Sequence, residues 1–313
     1  MATRTWAPPG PYDLGRTLGV LARGPGDPAF QAPGDGSFWR ASRTPEGPGT
    51  LHLRAAEGRV RAEAWGPGGE WLLEHLPELL GERDDPAAFT PRHRLLHEAH
   101  RRHPGLRLAR TGLVLESLIP SILEQKVTAD EAYRAWRLLL QRHGEPAPGP
   151  GTGPATRMRV MPDARGWALI PSWEWHRAGV DGKRSATIVR AARVAARLEE
   201  AAAMEETAAA ARLRAVPGIG PWTAAETLQR SNGAADAVTV GDLHLPKTVG
   251  YALTGTRGTD DAGMLTLLTP YAGQRHRACR LILLTSRPQP RRAPRFSVND
   301  IRGGETRGGN GAG

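Results

Sequence analysis

The sequence predicts an α+β protein in which a small N-terminal α+β domain precedes a larger, mainly helical domain. Two early segments, Thr50–Ala55 and Arg59–Trp65, alternate apolar and polar residues with the period of a half-buried strand. Helical patterns dominate after residue 90, and 313 residues are enough for about two domains. We therefore expect an α+β domain over 1–90, a helical domain over 91–286 and a disordered basic tail over 287–313.

The two predicted strands form a hairpin, because Glu57-Gly58 between them suits a tight two-residue turn. Residues Tyr12–Leu21 and Trp71–Leu80 have helical patterns. Pro77 is expected to interrupt the second of these helices, since proline has no backbone N–H to donate. This part of the chain shows no catalytic signature.

The second domain is predicted to begin with a long helical stretch, Leu113–His143, followed by a proline- and glycine-rich loop over Gly144–Thr156. Further helices are predicted at Lys183–Glu200, Met204–Ala215, Pro221–Arg230 and Gly263–Leu284. From Ser286 onward, arginines alternate with glycine and proline, which is typical of a solvated terminus that could add phosphate contacts.

The charge balance favours a polyanionic partner. The chain has 42 Lys and Arg against 32 Asp and Glu, a net charge of +10, and its pI is near 10.7. Nucleic acid is the partner that such an excess most often serves. The alternative is a codon bias toward arginine, because only Lys126, Lys183 and Lys247 are lysines.

Cysteine usage and hydropathy exclude several other classes. The single cysteine, Cys279, rules out an intramolecular disulfide and a four-cysteine zinc or iron–sulfur site. No metal-ligand spacing is convincing, so no metal is expected. The sequence contains no run of about 18 apolar residues and no N-terminal signal core. We expect a cytoplasmic, nucleoid-associated protein without a membrane segment.

The most informative segment is LRAVPGIGPWTAAETLQR, from Leu213 to Arg230. A helix ends near Ala215, Pro217–Gly220 forms a tight turn, and Pro221 suits the first position of the next helix. Gly218 and Gly220 are expected to adopt positive φ and to let another backbone approach closely. The N–H groups of the turn would then point outward at a helix N-terminus, which favours an anion such as phosphate.

This string, PGIGPWTA, resembles the hairpin of the helix-hairpin-helix–GPD superfamily of DNA glycosylases, and within it the bacterial 3-methyladenine DNA glycosylase II family. Four other segments add to the resemblance: PYDLGRTLGVLAR from Pro11, ILEQKVTADEA from Ile122, GVDGKRSATIVRAARVAARL from Gly179, and AVTVGDLHLPK around Asp242. The resemblance implies a helical domain with a cleft between two helical subdomains. It also implies double-stranded DNA with damaged bases as the partner and a monomeric enzyme of base excision repair.

Asp242 matches the family's catalytic aspartate. A base inside a duplex must be extruded before it can be cut from its sugar. A carboxylate near C1′ can then stabilise the positive charge that develops on the sugar. The alternative is an aspartate that caps the following helix, and both roles can hold at once.

Trp222 stands where the family's bifunctional members have a lysine that forms a Schiff base. Because tryptophan is not a nucleophile, the sequence predicts a monofunctional enzyme that uses water and leaves an abasic site. Trp222 could stack on a cationic alkylated base, or it could be a core residue that holds the hairpin. Lys247 is better explained by phosphate pairing or helix solvation than by lyase chemistry. No cofactor is expected, although the family suggests a monovalent cation at the hairpin carbonyls.

The remaining site residues also follow from the resemblance. Trp222, Glu226 and Leu243 are expected in the substrate pocket, although the family often has aromatic residues at the last two positions. The expected DNA contacts are Gly218, Gly220, Trp222, Gln125, Lys126 and Lys247. Among these, Lys126 occupies the position that plugs the gap left by the extruded nucleotide, and Gln125 could pair with the orphaned base.

These residues support one main reading and two alternatives. The main reading is hydrolytic release of alkylated bases of the 3-methyladenine and 7-methylguanine type. The departures at Glu226, Leu243 and Lys126 leave open a non-catalytic helix-hairpin-helix protein that only binds DNA. Glu226 also leaves open a glycosylase for deaminated or bulky-adduct bases, since a carboxylate could accept a hydrogen bond from a base edge. His276 and Arg277 lie near the active acid by family pattern.

Overall fold

The computed structural model describes residues 1–285, so the predicted basic tail lies outside the described residues. Near the N-terminus is a five-stranded antiparallel sheet of order β1-β5-β4-β3-β2. Its strands are β1 Ala2–Trp6, β2 Phe30–Gln31, β3 Ser37–Thr44, β4 Gly47–Ala56 and β5 Arg59–Trp65. The predicted hairpin is confirmed: Ala56 pairs with Arg59, and Glu57 and Gly58 between them have φ of 51° and 72°.

Three short helices cover one face of this sheet: α1 Leu14–Leu18, α2 Gly69–Glu74 and α3 Leu76–Leu79. The helix predicted over Trp71–Leu80 is interrupted at His75, just before Pro77 in the first turn of α3. Side chains from both layers form an apolar core that includes Leu18, Leu51 and Leu76, none of them exposed.

The helical part of the chain contains twelve α-helices within the described range. They are α4 Arg94–Arg102, α5 Val114–Leu123, α6 Ala129–His143, α7 Ala164–Leu169, α8 Ser172–Arg177, α9 Gly182–Arg193, α10 Ala195–Glu199, α11 Glu206–Arg214, α12 Pro221–Ser231, α13 Leu245–Thr254, α14 Asp261–Leu268 and α15 Arg275–Thr285. Two short strands, β6 Glu145–Pro146 and β7 Arg159–Val160, flank the proline-rich loop.

Three of the long predicted helices are wrong as single helices. The stretch Lys183–Glu200 breaks at Val194 into α9 and α10. The stretch Leu113–His143 breaks into α5 and α6, because Lys126 adopts a left-handed backbone and Thr128 starts a new helix with a capping box to Glu131. The stretch Gly263–Leu284 breaks into α14 and α15, with a 3-10 turn over Thr269–Tyr271 between them.

The helices pack into two clusters with separate apolar cores. The larger core joins α5 to α12 and contains the stacked indoles of Trp136, Trp167 and Trp175. The smaller core joins α4 to α13, α14 and α15 and includes Leu96 and Met264. A cavity between α12 and α15 marks the cleft between the clusters. The fold class is therefore the predicted one, a small antiparallel sheet followed by a helical domain with a cleft.

Ion pairs fix the sheet layer against both helical clusters. Arg40 of β3 contacts Glu116 of α5 at 2.5 Å. The Arg277 guanidinium of α15 pairs with Asp84, and both side chains are almost completely buried. Because Arg277 is committed to this pair, it is a structural residue between layers. Among residues 1–285, no helix is long and apolar enough to cross a membrane.

Candidate functional site

The glycine hairpin Pro217–Gly220 joins α11 to α12, and α12 is one of the helices that line the cavity. Gly218 has a φ of +100°, and a Cβ there would lie 2.1 Å from Oγ1 of Thr187 on α9, so this position requires glycine. Gly220 instead has ordinary extended backbone, with φ −94° and ψ −178°, and caps α12. The expectation of positive φ is met only at Gly218, while Pro221 begins the helix as predicted.

The hairpin is braced by side chains from two other helical segments. Nε2 of Gln125 donates to the carbonyl oxygen of Gly218 at 3.0 Å and to Oγ1 of Thr223 at 2.8 Å. Nε of Arg190 donates to the carbonyl oxygen of Pro217 at 3.2 Å. The amide nitrogen of Gln125 is thus already used in holding the turn in place. Its neighbour Lys126 is exposed and has a φ of 56°.

Asp242 lies on the segment that enters α13, and its carboxylate accepts three hydrogen bonds. Oδ1 accepts from the backbone N–H groups of His244 at 2.8 Å and Leu245 at 2.7 Å, so the side chain caps α13. Oδ2 accepts from the indole N–H of Trp222 on α12 at 3.1 Å. Asp242 also lines the cleft cavity, so the same side chain both caps α13 and faces the cavity.

The cavity beside Asp242 has a volume of about 330 Å³, within the range of small-molecule pockets. Its walls come from α12, α15, the Thr239–Thr248 segment, the loop around Leu108 and the backbone near Val20. Of the expected pocket residues, Glu226 lines this cavity. Trp222 contacts Asp242 without lining the cavity, and the Leu243 side chain is 65% exposed outside it.

Glu226 is fully engaged inside the cavity wall. Its Oε2 pairs with Nη1 of Arg230 at 2.7 Å, and its Oε1 accepts from Oγ1 of Thr239 at 2.8 Å. Thr239 in turn accepts from Nε2 of Gln229 at 2.9 Å. Since both carboxylate oxygens have partners, Glu226 organises the wall of the cavity and is poorly placed to accept from a base edge.

Among the α15 residues that line the cavity, only His276 was predicted from the sequence. His276, Cys279, Arg280 and Leu283 line it at helical spacing i, i+3, i+4 and i+7. Burial, with the neighbouring charges of Arg280 and Arg230, holds the pKa of His276 well below its ordinary value. Burial also raises the pKa of the Cys279 thiol to about 12, so this thiol is an unreactive wall residue.

The three lysines do not line this cavity. Lys126, Lys183 and Lys247 are exposed, and none of them lines the cavity. Within residues 1–285, no group of three or more His, Cys, Asp or Glu could hold a metal ion. The chemical groups at hand are therefore a fixed carboxylate, arginine guanidinium groups and an imidazole kept neutral by burial.

No protein-family model matches the sequence, and no curated protein matches it. Solved structures do match this fold, and those that match are DNA glycosylases. The 3-methyladenine DNA glycosylase of Archaeoglobus fulgidus has a TM-score of 0.72 at 18% identity, over 91% of this chain and 98% of that chain.

The 8-oxoguanine glycosylase/lyase of Clostridium acetobutylicum in its apo form has a TM-score of 0.68 at 12% identity, over 88% of this chain and 93% of that chain. Its complex with double-stranded DNA has a TM-score of 0.66 at 12% identity, over 86% of this chain and 91% of that chain. At these identities the likeness establishes the fold. Because these neighbours differ in lesion and in lyase activity, the chemistry must be argued from the residues of this chain.

Proposed function

We propose that this protein is a monofunctional DNA glycosylase that releases alkylated bases, of the 3-methyladenine and 7-methylguanine type, and leaves an abasic site. The observation that carries the proposal is the position of Asp242. Its carboxylate is held by three N–H donors, sits on one wall of a cavity of about 330 Å³, and lies beside the glycine hairpin.

In this proposal the hairpin holds the DNA backbone. The N–H groups around Gly218, Gly220 and Trp222 stand at the N-terminus of α12, where backbone dipoles favour a phosphate. Lys126 protrudes beside the hairpin into the duplex, and Lys247 on α13 adds a further phosphate contact. A net charge of +10 supports this sequence-independent part of the binding. A monovalent cation at the hairpin carbonyls remains a prediction.

The base extruded from the duplex enters the cavity, and its sugar lies against Asp242. Breaking the N-glycosidic bond moves the bonding electrons onto the departing base and leaves positive charge on the sugar. The fixed carboxylate stabilises that charge without having to reorganise. A water molecule then adds to C1′ and loses a proton, which gives the abasic sugar; Asp242 can orient this water.

Two observations support hydrolysis without strand cleavage. Trp222 occupies the position at which the bifunctional relatives have their Schiff-base lysine, and its N–H is directed at Asp242. Lys126, Lys183 and Lys247, all within residues 1–285, do not line the cavity. An alkylated base is already an activated leaving group, so the site needs no strong general acid.

The Asp242→Asn variant tests the proposal. Asparagine caps a helix as well as aspartate does, so the fold of α13 should persist while the negative charge is lost. We expect base release from methylated duplex DNA to fall by roughly a hundred-fold or more, with DNA affinity retained. Abasic sites are measured by alkali cleavage. Asp260→Asn is the matched control, because Asp260 caps α14 outside the cavity.

Release at the wild-type rate by Asp242→Asn would contradict the assignment of this residue. If wild-type protein bound DNA with strong salt dependence but formed no abasic site on any lesion, the protein would be a DNA-binding module without catalysis.

A further inference from the structure

One face of α15 forms a polar wall of the cavity that the proposed reaction at Asp242 does not use. His276, Arg280 and Leu283 follow one another at four- and three-residue steps on this face, and all three line the cavity. Asp242 belongs to a different wall, on the segment that enters α13. A base whose sugar lies at Asp242 therefore also meets the side chains of α15.

Within residues 1–285, three arginines line the cavity, and they differ in how many of their N–H donors already have acceptors. Arg230 pairs with Glu226 and also donates to the carbonyl oxygen of Val20 at 3.0 Å. Arg107 donates to three backbone carbonyl oxygens, at 3.0 to 3.1 Å. Arg280 makes only a long hydrogen bond of 3.4 Å to the carbonyl oxygen of Arg16, and no ion pair within residues 1–285.

The surroundings of Arg280 leave its charge without a compensating partner. The acid whose charge acts on Arg280, Glu226, already accepts from Arg230 and Thr239. Burial and the charge of Arg230 lower the pKa of Arg280 to about 10, so the guanidinium still carries its proton at neutral pH. Partly buried donors of this kind are costly unless a ligand supplies an acceptor.

Resting on the proposed function, we infer that Arg280 donates a hydrogen bond to a carbonyl oxygen of the extruded base, so that the site prefers 6-oxopurines to 6-aminopurines. A guanidinium has only donors, and the 6-oxo group of a guanine-type lesion is an acceptor. The 6-amino group of an adenine-type lesion would instead place its own N–H donors against the N–H donors of the Arg280 guanidinium. Loss of one hydrogen bond to a charged group corresponds to roughly a ten- to hundred-fold change in rate.

DNA treated with dimethyl sulfate tests this preference, because it carries 7-methylguanine and 7-methyladenine together. Both bases have the same methyl group and the same positively charged five-membered ring, and they differ at positions 6 and 2. Chromatography of the bases released in one reaction gives the ratio of their release rates, which does not depend on the amount of folded protein. We expect wild-type protein to favour 7-methylguanine by roughly ten-fold or more.

The Arg280→Met variant should lower this ratio by roughly ten-fold or more, through slower release of 7-methylguanine. Arg280→Lys, which keeps the charge but not the forked donors, should give an intermediate ratio. Arg101→Met is the matched control: it makes the same substitution at an exposed arginine of α4 outside the cavity, so the ratio should remain that of the wild type.

The outcomes separate the two proposals. Equal release of the two bases by wild-type protein, or a ratio unchanged in Arg280→Met, would overturn the role of Arg280 and leave the glycosylase intact. No release of any methylated base by wild-type protein would overturn the proposed function, and the role of Arg280 with it.

Discussion

The indole N–H of Trp222 donates to Oδ2 of Asp242 at 3.1 Å and so links the first turn of α12 to the start of α13. Backbone N–H groups of His244 and Leu245 hold the other oxygen. The carboxylate is therefore held by N–H donors from the first turn of α12 and from the start of α13. In the proposed reaction, Trp222 therefore orients the carboxylate of Asp242.

Trp222→Phe should slow base release while leaving DNA affinity nearly unchanged. Phenylalanine keeps an aromatic ring but removes the N–H donor, so the carboxylate gains rotational freedom. The loss of one hydrogen bond to a charged group predicts a decrease of roughly ten-fold in the single-turnover rate. Trp173→Phe is the control, since Trp173 is 65% exposed on α8 and does not line the cavity. An unchanged rate in Trp222→Phe would show that the hydrogen bond does not position Asp242.

Borohydride should trap no covalent complex between wild-type protein and damaged DNA. A Schiff base needs an amine beside C1′, and the cavity is lined by no lysine. The assay separates the cross-linked species by denaturing electrophoresis, with a known bifunctional glycosylase as the positive control. A trapped adduct that disappears in Lys247→Ala would identify Lys247 as a lyase nucleophile and contradict the monofunctional assignment.

Features set by short stretches of sequence could be predicted, and those set by distant contacts could not. The β4–β5 hairpin, the glycine turn and the start of α12 each depend on a few adjacent residues. The break between α5 and α6 was also readable, because Thr128 and Glu131 have capping-box spacing. The helical pattern that continues over Leu113–His143 nevertheless favoured a single helix in the sequence-based prediction.

The engaged state of Glu226 and the role of Gln125 depend on the tertiary fold. Gln125 reaches a carbonyl group 93 residues away in the chain, and nothing in its neighbours specifies that partner. Arg280 could have been suggested by its spacing from His276, but only the packing of α15 against α13 turns that face toward Asp242. Burial and ion pairing determine which arginines keep free N–H donors. Neither property can be read from the sequence alone.

Gly218→Ala should destabilise the protein, and Gly220→Ala should not. At position 218 the alanine Cβ would lie 2.1 Å from Oγ1 of Thr187, and the alanine backbone would have to adopt a φ of +100°. Such strain costs on the order of 1–3 kcal/mol. At Gly220 a Cβ meets nothing within 4 Å and φ is ordinary, so stability should stay within about 0.5 kcal/mol of the wild type. Urea unfolding measures both values, and equal stability of the two variants would contradict the conformation described for the hairpin.

His276 should make the protein less stable as the pH falls below about 6.5. Its pKa lies well below the ordinary value in the folded state, because of burial first and then the charges of Arg280, Arg230 and Arg277. At a pH between the folded-state and unfolded-state pKa of His276, the unfolded chain binds a proton at this residue and the folded chain does not. The free energy of unfolding therefore falls as the pH falls. The slope is at most about 1.4 kcal/mol per pH unit.

Urea unfolding from pH 7.5 to 5.5 isolates this effect when His276→Gln is measured beside the wild type. Acids with raised pKa, such as Asp27 and Glu199, titrate in both proteins and cancel in the difference. The wild type should lose stability relative to His276→Gln as the pH falls, whereas His176→Gln, on the exposed side of α8, should follow the wild type. A difference that stays flat or grows in favour of the wild type at low pH would mean that the imidazole in the cavity wall is protonated in the folded state.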